Sequence, residues 1–339
     1  MHAFRWLQAC ACTVITSGIL ISASAQLKIA IVESDTNELY KTIRINAINT
    51  LSKGGMVEGT QYTLGKWSAG NDLEKAKTAL KEAVKSSPDV IMVSGTIVAK
   101  AAGELYLNDP TLKFVYAGVT DAAGLGLVGV VGTPPNSNFT GVSYPVPVKA
   151  RLKFIKTLMP TVKTIGLVYA DMPQSVSYKG WLEEALKDPE FSGLKIIFKS
   201  IPLVTGEDGA QKMAALAKPL LKELDDNVDV FMSPNDQMGI NPAFPKTVVE
   251  VCKKPLIGLG TNDVMQKLGA VAVIYPSMQS MGVQAGEMVL KLLKGTPVKN
   301  IQSEWCKENG IALDIVKCQA AGITPPVGMI KLAGKNIVK

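Results

Sequence analysis

Short apolar, β-branched runs alternate with helix-like stretches from residue 27 onward, and midway along the chain the series starts again. The first series reads LKIAIVE (27–33), a helix near 37–53, YTLGKW (62–67), a helix from Asp72 to about Val84, DVIMVS (89–94) and KFVYAGV (113–119). Runs so uniformly apolar suit strands buried on both faces, as in a parallel sheet covered by crossover helices. The second series has KTIGLVYA (163–170), a helix near 174–187, LKIIFKSIP (194–202), a helix over 207–224, VDVFMS (228–233), a helix near 243–252 and PLIGLG (255–260). The pattern predicts an α/β fold of two Rossmann-like lobes, each on its own parallel sheet. Between the series, TPPNSNFTGVSYPVP carries four prolines, which suits a crossing with a boundary near Ser143. The tail, with VAVIYPS, a helix from Gln279 to Lys294 ended by Gly295 and Pro297, and extended pieces at SEWCK and IALDIV, breaks this two-block order. A chain that recrosses makes both lobes discontinuous: residues 26–142 with about 277–300 form lobe 1, and 143–276 with about 301–339 form lobe 2, joined by a multi-strand hinge.

Residues 1–25 stand apart from this pattern. Arg5, an apolar stretch and Ala23-Ser24-Ala25 ahead of Gln26 read as a cleavable secretory signal peptide, which predicts a periplasmic or other extracytoplasmic protein. A retained anchor and a lipid-modified Cys10 or Cys12 are the rival readings, so a free and a tethered protein both stay open. Cleavage removes Arg5, lowering the formal charge from +7 to +6, and also removes His2, the one histidine. Catalysis through Ser-His-Asp or Cys-His systems and the commonest zinc sites are then excluded. Cys252, Cys306 and Cys318 remain, and both a Cys306–Cys318 bridge and three buried free thiols are open. Lysines are interspersed with acids rather than clustered with aromatics, which argues against a nucleic-acid partner.

Gly124, Gly126 and Gly129 spell Gly-x-Gly-x-x-Gly, yet Gly129 leads into VVGTPPNSN rather than a helix, and Lys149 stands where a ribose-binding acid is required. No dinucleotide and no other cofactor is expected. Met278, Met281 and Met288 share one helical face and read as core rather than a metal box, and no metal site is predicted. Trp67, Trp181 and Trp305 read as packing.

Ligands of open parallel sheets collect beyond the C-terminal strand ends. Lobe 1 offers Ser34 and Asp35, then Ser94, Gly95 and Thr96, then Thr120 and Asp121 at these positions. Ser143 and Tyr144 lie at the crossing. Lobe 2 offers Tyr169, Asp171, Gln174 and Ser175, then Asn235 and Asp236, then Asn262 and Asp263. Each is equally a helix-capping type. Asp35, Asp121, Asp171, Asp236 and Asp263 suit a ligand ammonium, and amides near Ser94–Thr96 suit a carboxylate, a pairing that favours a small polar or zwitterionic ligand.

FVYAGVTDAAGLGLV and NFTGVSYPVPVKARLKFIKTLMPTVKTIGLVYA carry a Val-Thr-Asp turn, an Asn-x-Thr-Gly-Val-Ser crossing and a Leu-x-Pro-x-x-Lys-x-Ile-Gly strand start. In these the chain resembles the extracytoplasmic solute-binding proteins of ABC transporters, in the family that includes tryptophan and tyrosine binders, with the type I periplasmic-binding-protein fold. The resemblance covers nearly all of the chain after residue 25. It implies a monomeric receptor, not an enzyme, that closes on a small molecule, an amino acid or derivative among the candidates, and delivers it to a permease and its ATPase. Thr120 and Asp121 match the family's first-lobe turn, Ser94 to Thr96 its helix start and Ser143 its crossing. Lobe 2 departs from the family pattern at Pro234-Asn235-Asp236, Gly260-Thr261-Asn262-Asp263 and Ser277-Met278-Gln279. A sensory module for a membrane kinase or chemoreceptor is the alternative, and a secreted enzyme a weaker one.

Overall fold

The computed structural model describes residues 26–339, so the segment read as a signal peptide lies outside the described residues. The chain runs β1 (Leu27–Glu33), α1 (Glu38–Lys53), β2 (Tyr62–Ser68), α2 (Leu73–Lys85), β3 (Val90–Ser94), α3 (Thr96–Tyr106), β4 (Phe114–Val119) and β5 (Phe139–Ser143). It then crosses to α4 (Val148–Leu158), β6 (Thr164–Ala170), α5 (Pro173–Ala185), β7 (Lys195–Ile201), α6 (Gly209–Asp225), β8 (Val230–Met232), α7 (Ala243–Val251), β9 (Leu256–Ile257), α8 (Thr261–Met265) and β10 (Ala272–Pro276). The tail adds α9 (Met278–Leu293), β11 (Glu304–Trp305), β12 (Asn309–Asp314), α10 (Ile315–Ala320), α11 (Val327–Ala333) and β13 (Ile337–Val338).

Two sheets result, ordered β11-β5-β4-β3-β1-β2 and β13-β12-β10-β9-β8-β6-β7. Every pairing is parallel except that of β10 with β12. Strands β3 and β5 are buried along their whole length, as expected of strands covered on both faces. Phe114 and Phe139, neighbours in β4 and β5, stack with ring centroids 4.4 Å apart. The helices start where short polar side chains satisfy their opening amides: Asn37 accepts from Leu39 and Tyr40, and Asp72 from Glu74 and Lys75.

Two details differ from the sequence reading. Residues 304–305 had been assigned to lobe 2, but β11 pairs in parallel with β5, Glu304 opposite Val142, and so belongs to the first sheet. Ser143 is likewise the last residue of β5, and the chain leaves the first sheet only after it. A two-residue edge strand has too little hydrophobic periodicity to reveal its partner. Cys252, Cys306 and Cys318 are all free; the Cys306 thiol donates to Ser277 O and Glu308 O, and that of Cys318 to Val271 O in the second lobe.

After β10 the chain returns to the first sheet through α9, which lies along α1. Close approach depends on Gly282: a Cβ there would stand 2.4 Å from Ile43 O and 2.7 Å from Asn46 Cβ. Neither obstacle is a flexible side-chain end, so the helices would have to separate. Gly282→Val is expected to destabilise the protein by roughly 1–3 kcal/mol, as overpacking in a core contact does. Urea unfolding checks this, and an unchanged midpoint would contradict the close packing.

Candidate ligand-binding site

The C-terminal ends of both parallel sheets meet at one cleft. Between the lobes lies a cavity of about 20 Å³ lined by Leu39, Tyr40, Thr96, Gly118, Thr120 and Tyr144 from the first lobe and the crossing, and by Gln174, Asn235, Asp236, Gln237 and Ile240 from the second. That volume accommodates about one water. The lobes are therefore shut. Asn235 Nδ2 donates across the cleft to Thr120 Oγ1 at 2.9 Å, and Gln237 Nε2 to the Tyr40 hydroxyl at 2.7 Å. A third link joins backbone to backbone, Gly206 N–H to Gly70 O at 2.9 Å.

On the first-lobe side, α3 begins at Gly95, whose φ of +94° is open to glycine, and a Cβ there would come within 2.5 Å of Ser34 Oγ and the Tyr40 hydroxyl. Gly95 N–H goes to Ala117 O and Val98 N–H to Ser34 Oγ, while Thr96 Oγ1 accepts from Thr120 N–H. The amides of Thr96 and Ile97 have no protein acceptor among the described residues. They form the positive end of a helix beside the cavity.

The second-lobe side offers acceptors. Gln174 Oε1 and Gln237 Oε1 are buried without a hydrogen-bond partner. Asp236 by contrast is saturated: Oδ2 takes Ala170 N–H and Ser175 Oγ, each at 2.9 Å, and Oδ1 takes Gly239 N–H at 2.8 Å. Burial pushes its carboxyl upward, against the pull of those donors. Burial also raises Tyr40 and Tyr144, so both hydroxyls stay neutral donors. Beneath the cavity Arg151, fully buried, donates from Nη2 to Ser233 O at 2.8 Å and Gly258 O at 3.1 Å, tying down the ends of β8 and β9.

Of the residues anticipated from sequence, Thr96, Thr120, Tyr144, Gln174, Asn235 and Asp236 line the cavity. Ser34, Gly95 and Ser175 support it through the bonds just described, and Ser94 and Ser143 are buried at the ends of β3 and β5. The rest lie elsewhere. Asp35 accepts from Asn71 Nδ2 and from Thr36 N–H. Asp121 closes its own turn, accepting from Gly124 N–H, in a loop from residue 121 to 138 that has no helix. Tyr169 packs half-buried against the second-lobe core, while Asp171 and Asn262 are exposed. Asp263 folds back to accept from Leu259 and Gly260 N–H. Capping takes most of the aspartates. Tyr40, Gln237 and Arg151 were not anticipated: Tyr40 sits on a helix face that reads as core, and Arg151 in a basic run that reads as surface.

Residues 28–337 match the family model described as ABC transporter substrate binding protein. The chain belongs to this family. It is 25% identical over 292 residues to a tyrosine-binding protein of Clostridioides difficile, covering 86% of this chain and 77% of that one. Among solved structures it is similar to an ABC domain from Streptococcus pneumonia in complex with L-Trp, with a TM-score of 0.78, 24% identity and coverage of 93% of this chain and 100% of that one. A solute binding protein from Bacillus halodurans with bound myo-inositol superimposes at a TM-score of 0.62 and 12% identity, over 86% of this chain and 96% of that one. These likenesses in structure establish the type I periplasmic binding fold. The family is one of solute-binding proteins rather than enzymes.

In this substrate-binding protein Asp263 reports on the buried charge of the second lobe. Burial raises its carboxyl to about 6, opposed by the Leu259 and Gly260 amides and by Arg151. The folded chain then holds this proton more tightly than the unfolded chain, so the stabilising contribution is complete below the ordinary value of 3.8 and is lost as pH rises to about 6. Asp263→Asn removes that dependence. The variant is expected to gain on the parent by roughly 3 kcal/mol between acid and neutral pH. Melting curves at pH 4 and pH 7 measure it, and a constant difference would show Asp263 ionised throughout.

Proposed function

We propose that this protein is the extracytoplasmic receptor of an ABC importer and that its cleft takes a small zwitterion, an amino acid or close derivative. The supporting observation is the polarity of the two cavity walls. The first lobe presents free helix-opening amides at Thr96 and Ile97, and the second presents the partnerless oxygens of Gln174 and Gln237. A carboxylate suits the first wall and an ammonium the second. The similarity to a tyrosine-binding protein and to an L-Trp complex agrees with this class of ligand.

In this reading the ammonium is met by amide oxygens and not by aspartates, because both oxygens of Asp236 accept from the second lobe itself and Asp263, bonded through Oδ2 to Leu259 and Gly260, does not line the cavity. Thr120, Tyr144 and Asn235 complete the polar lining. The shut cavity holds about one water, so an amino acid enters only as the lobes part, and its contacts to both walls then hold them closed around it, which shifts a hinge equilibrium. No bond is made or broken. The shut, monomeric form is what a permease with its ATPase recognises, on the outer side of the membrane once residues 1–25 are removed.

The test is calorimetry of the protein, freed of retained ligand, against the standard amino acids. One or a few are expected to bind and to raise the thermal midpoint. Gln237→Ala removes both an ammonium acceptor and the bond to Tyr40, so affinity for such a ligand is expected to fall roughly ten- to hundredfold, the usual loss of a charge-assisted hydrogen bond. A panel in which no amino acid binds, or unaltered affinity in the variant, would overturn the assignment.

A further inference from the structure

Beside the central cavity, and sharing Thr120 with it, a larger hollow opens on the hinge flank. Its volume is about 530 Å³, within the range of small-molecule sites. Walls come from the loop after β4 in lobe 1 (Asp121, Val130 and Val131), from the crossing at Pro145, from Trp305 at the end of β11, and from Trp181 on α5 in lobe 2. Trp181 and Trp305 had read as packing, yet Trp305 is 42% exposed and Val130 62% exposed. Asp121 is the one ionisable residue of the lining. Its Oδ1 accepts from Gly124 N–H, and it has no ion-pair partner among the described residues.

We infer that this flank hollow is a second ligand site, selective for a small organic ammonium with an apolar or aromatic body. Two indoles offer negative ring faces to a cation and flat apolar area to its body. The carboxylate of Asp121, half-buried and without an ion-pair partner among the described residues, supplies the complementary charge. Valine and proline line most of the rest and, the indoles apart, Thr120 is its one other polar side chain, so the hollow offers no cationic group to an anion. The same chemistry distinguishes it from the central cavity, where the free groups are amides and amide oxygens suited to a zwitterion. The inference does not depend on the ligand proposed for that cavity.

The probe is 2-phenylethylammonium, with the equally sized 2-phenylethanol and phenylacetate as neutral and anionic controls. Binding is followed by calorimetry and by indole fluorescence in the mature protein carrying Trp67→Phe, which leaves Trp181 and Trp305 as reporters. The cation is expected to bind with a change in indole emission, at least about tenfold more tightly than the alcohol, with phenylacetate weakest. Asp121→Asn is expected to erase the preference for the cation over the alcohol. Trp181→Ala and Trp305→Ala should each weaken the cation roughly three- to thirtyfold. Gln237→Ala should leave it unaltered. Equal binding of all three probes, no binding of the cation, or cation binding lost in Gln237→Ala but kept in Asp121→Asn would overturn the site; the last result would place the probe in the central cavity.

Discussion

The chain passes between the two sheets after β5, after β10 and after β11, and these passages are bonded to one another. Cys306 N–H donates to Ser143 O, Ser277 N–H to Glu308 O, and the Cys306 thiol to Ser277 O. Tyr144 N–H is drawn to Val119 O, which ties the first passage to the end of the neighbouring strand. Because each passage is short and held by its neighbours, the hinge fixes which ends of the sheets face each other while leaving the lobes free to part, and the C-terminal ends of both sheets open on a common cleft. The polar residues at those strand ends have a shared destination only because of this arrangement. Without it, Thr120 and Asn235 would belong to two unrelated surfaces instead of bonding at 2.9 Å.

Opposite that hinge, few polar contacts hold the cleft shut. Among the described residues two side-chain bonds and one backbone bond cross it, each contributing on the order of 1 kcal/mol net because water competes for the same groups when the lobes part. A ligand that adds a few charge-assisted bonds to both walls therefore outweighs the intrinsic preference, which is the condition for a hinge whose state reports occupancy. Buried orphan acceptors sharpen the dependence. Gln174 and Gln237 each keep a desolvated oxygen in the shut form, a cost that a donor from a ligand removes.

The repeated strand-helix series made the two parallel sheets readable, since uniformly apolar runs such as DVIMVS have no other stable home than a doubly covered strand. The tail pattern after VAVIYPS predicts only a chain that recrosses; what seats α9 against α1 is the close packing at Gly282. Weaker signals failed for physical reasons. Glu304–Trp305 is too short to show periodicity, and its sheet is set by pairing with Val142 and Ser143. At the site, reading strand ends names six residues that line the cavity, but it cannot tell a side chain aimed at the cleft from one turned back onto its own backbone. Asp171 and Asp263 are of the right type at the right junctions, and solvent or local amide donors claim them instead.

The same competition explains why the second wall can be acceptor-rich without carrying a free negative charge. Strand ends leave carbonyl oxygens pointing toward the cleft, and at β8 and β9 Arg151 collects two of them, those of Ser233 and Gly258. Its guanidinium, buried and close to Asp263, offsets that carboxylate, while the donors of Ala170, Ser175 and Gly239 satisfy Asp236. What reaches the cavity is then the neutral amide chemistry of Gln174, Asn235 and Gln237. Neutral acceptors discriminate by geometry more than by charge, because an amide oxygen loses little when it returns to water and gains fully only when a donor sits in line with it. A wall built this way can hold a zwitterion while its long-range field stays weak, and release then requires only that the lobes part.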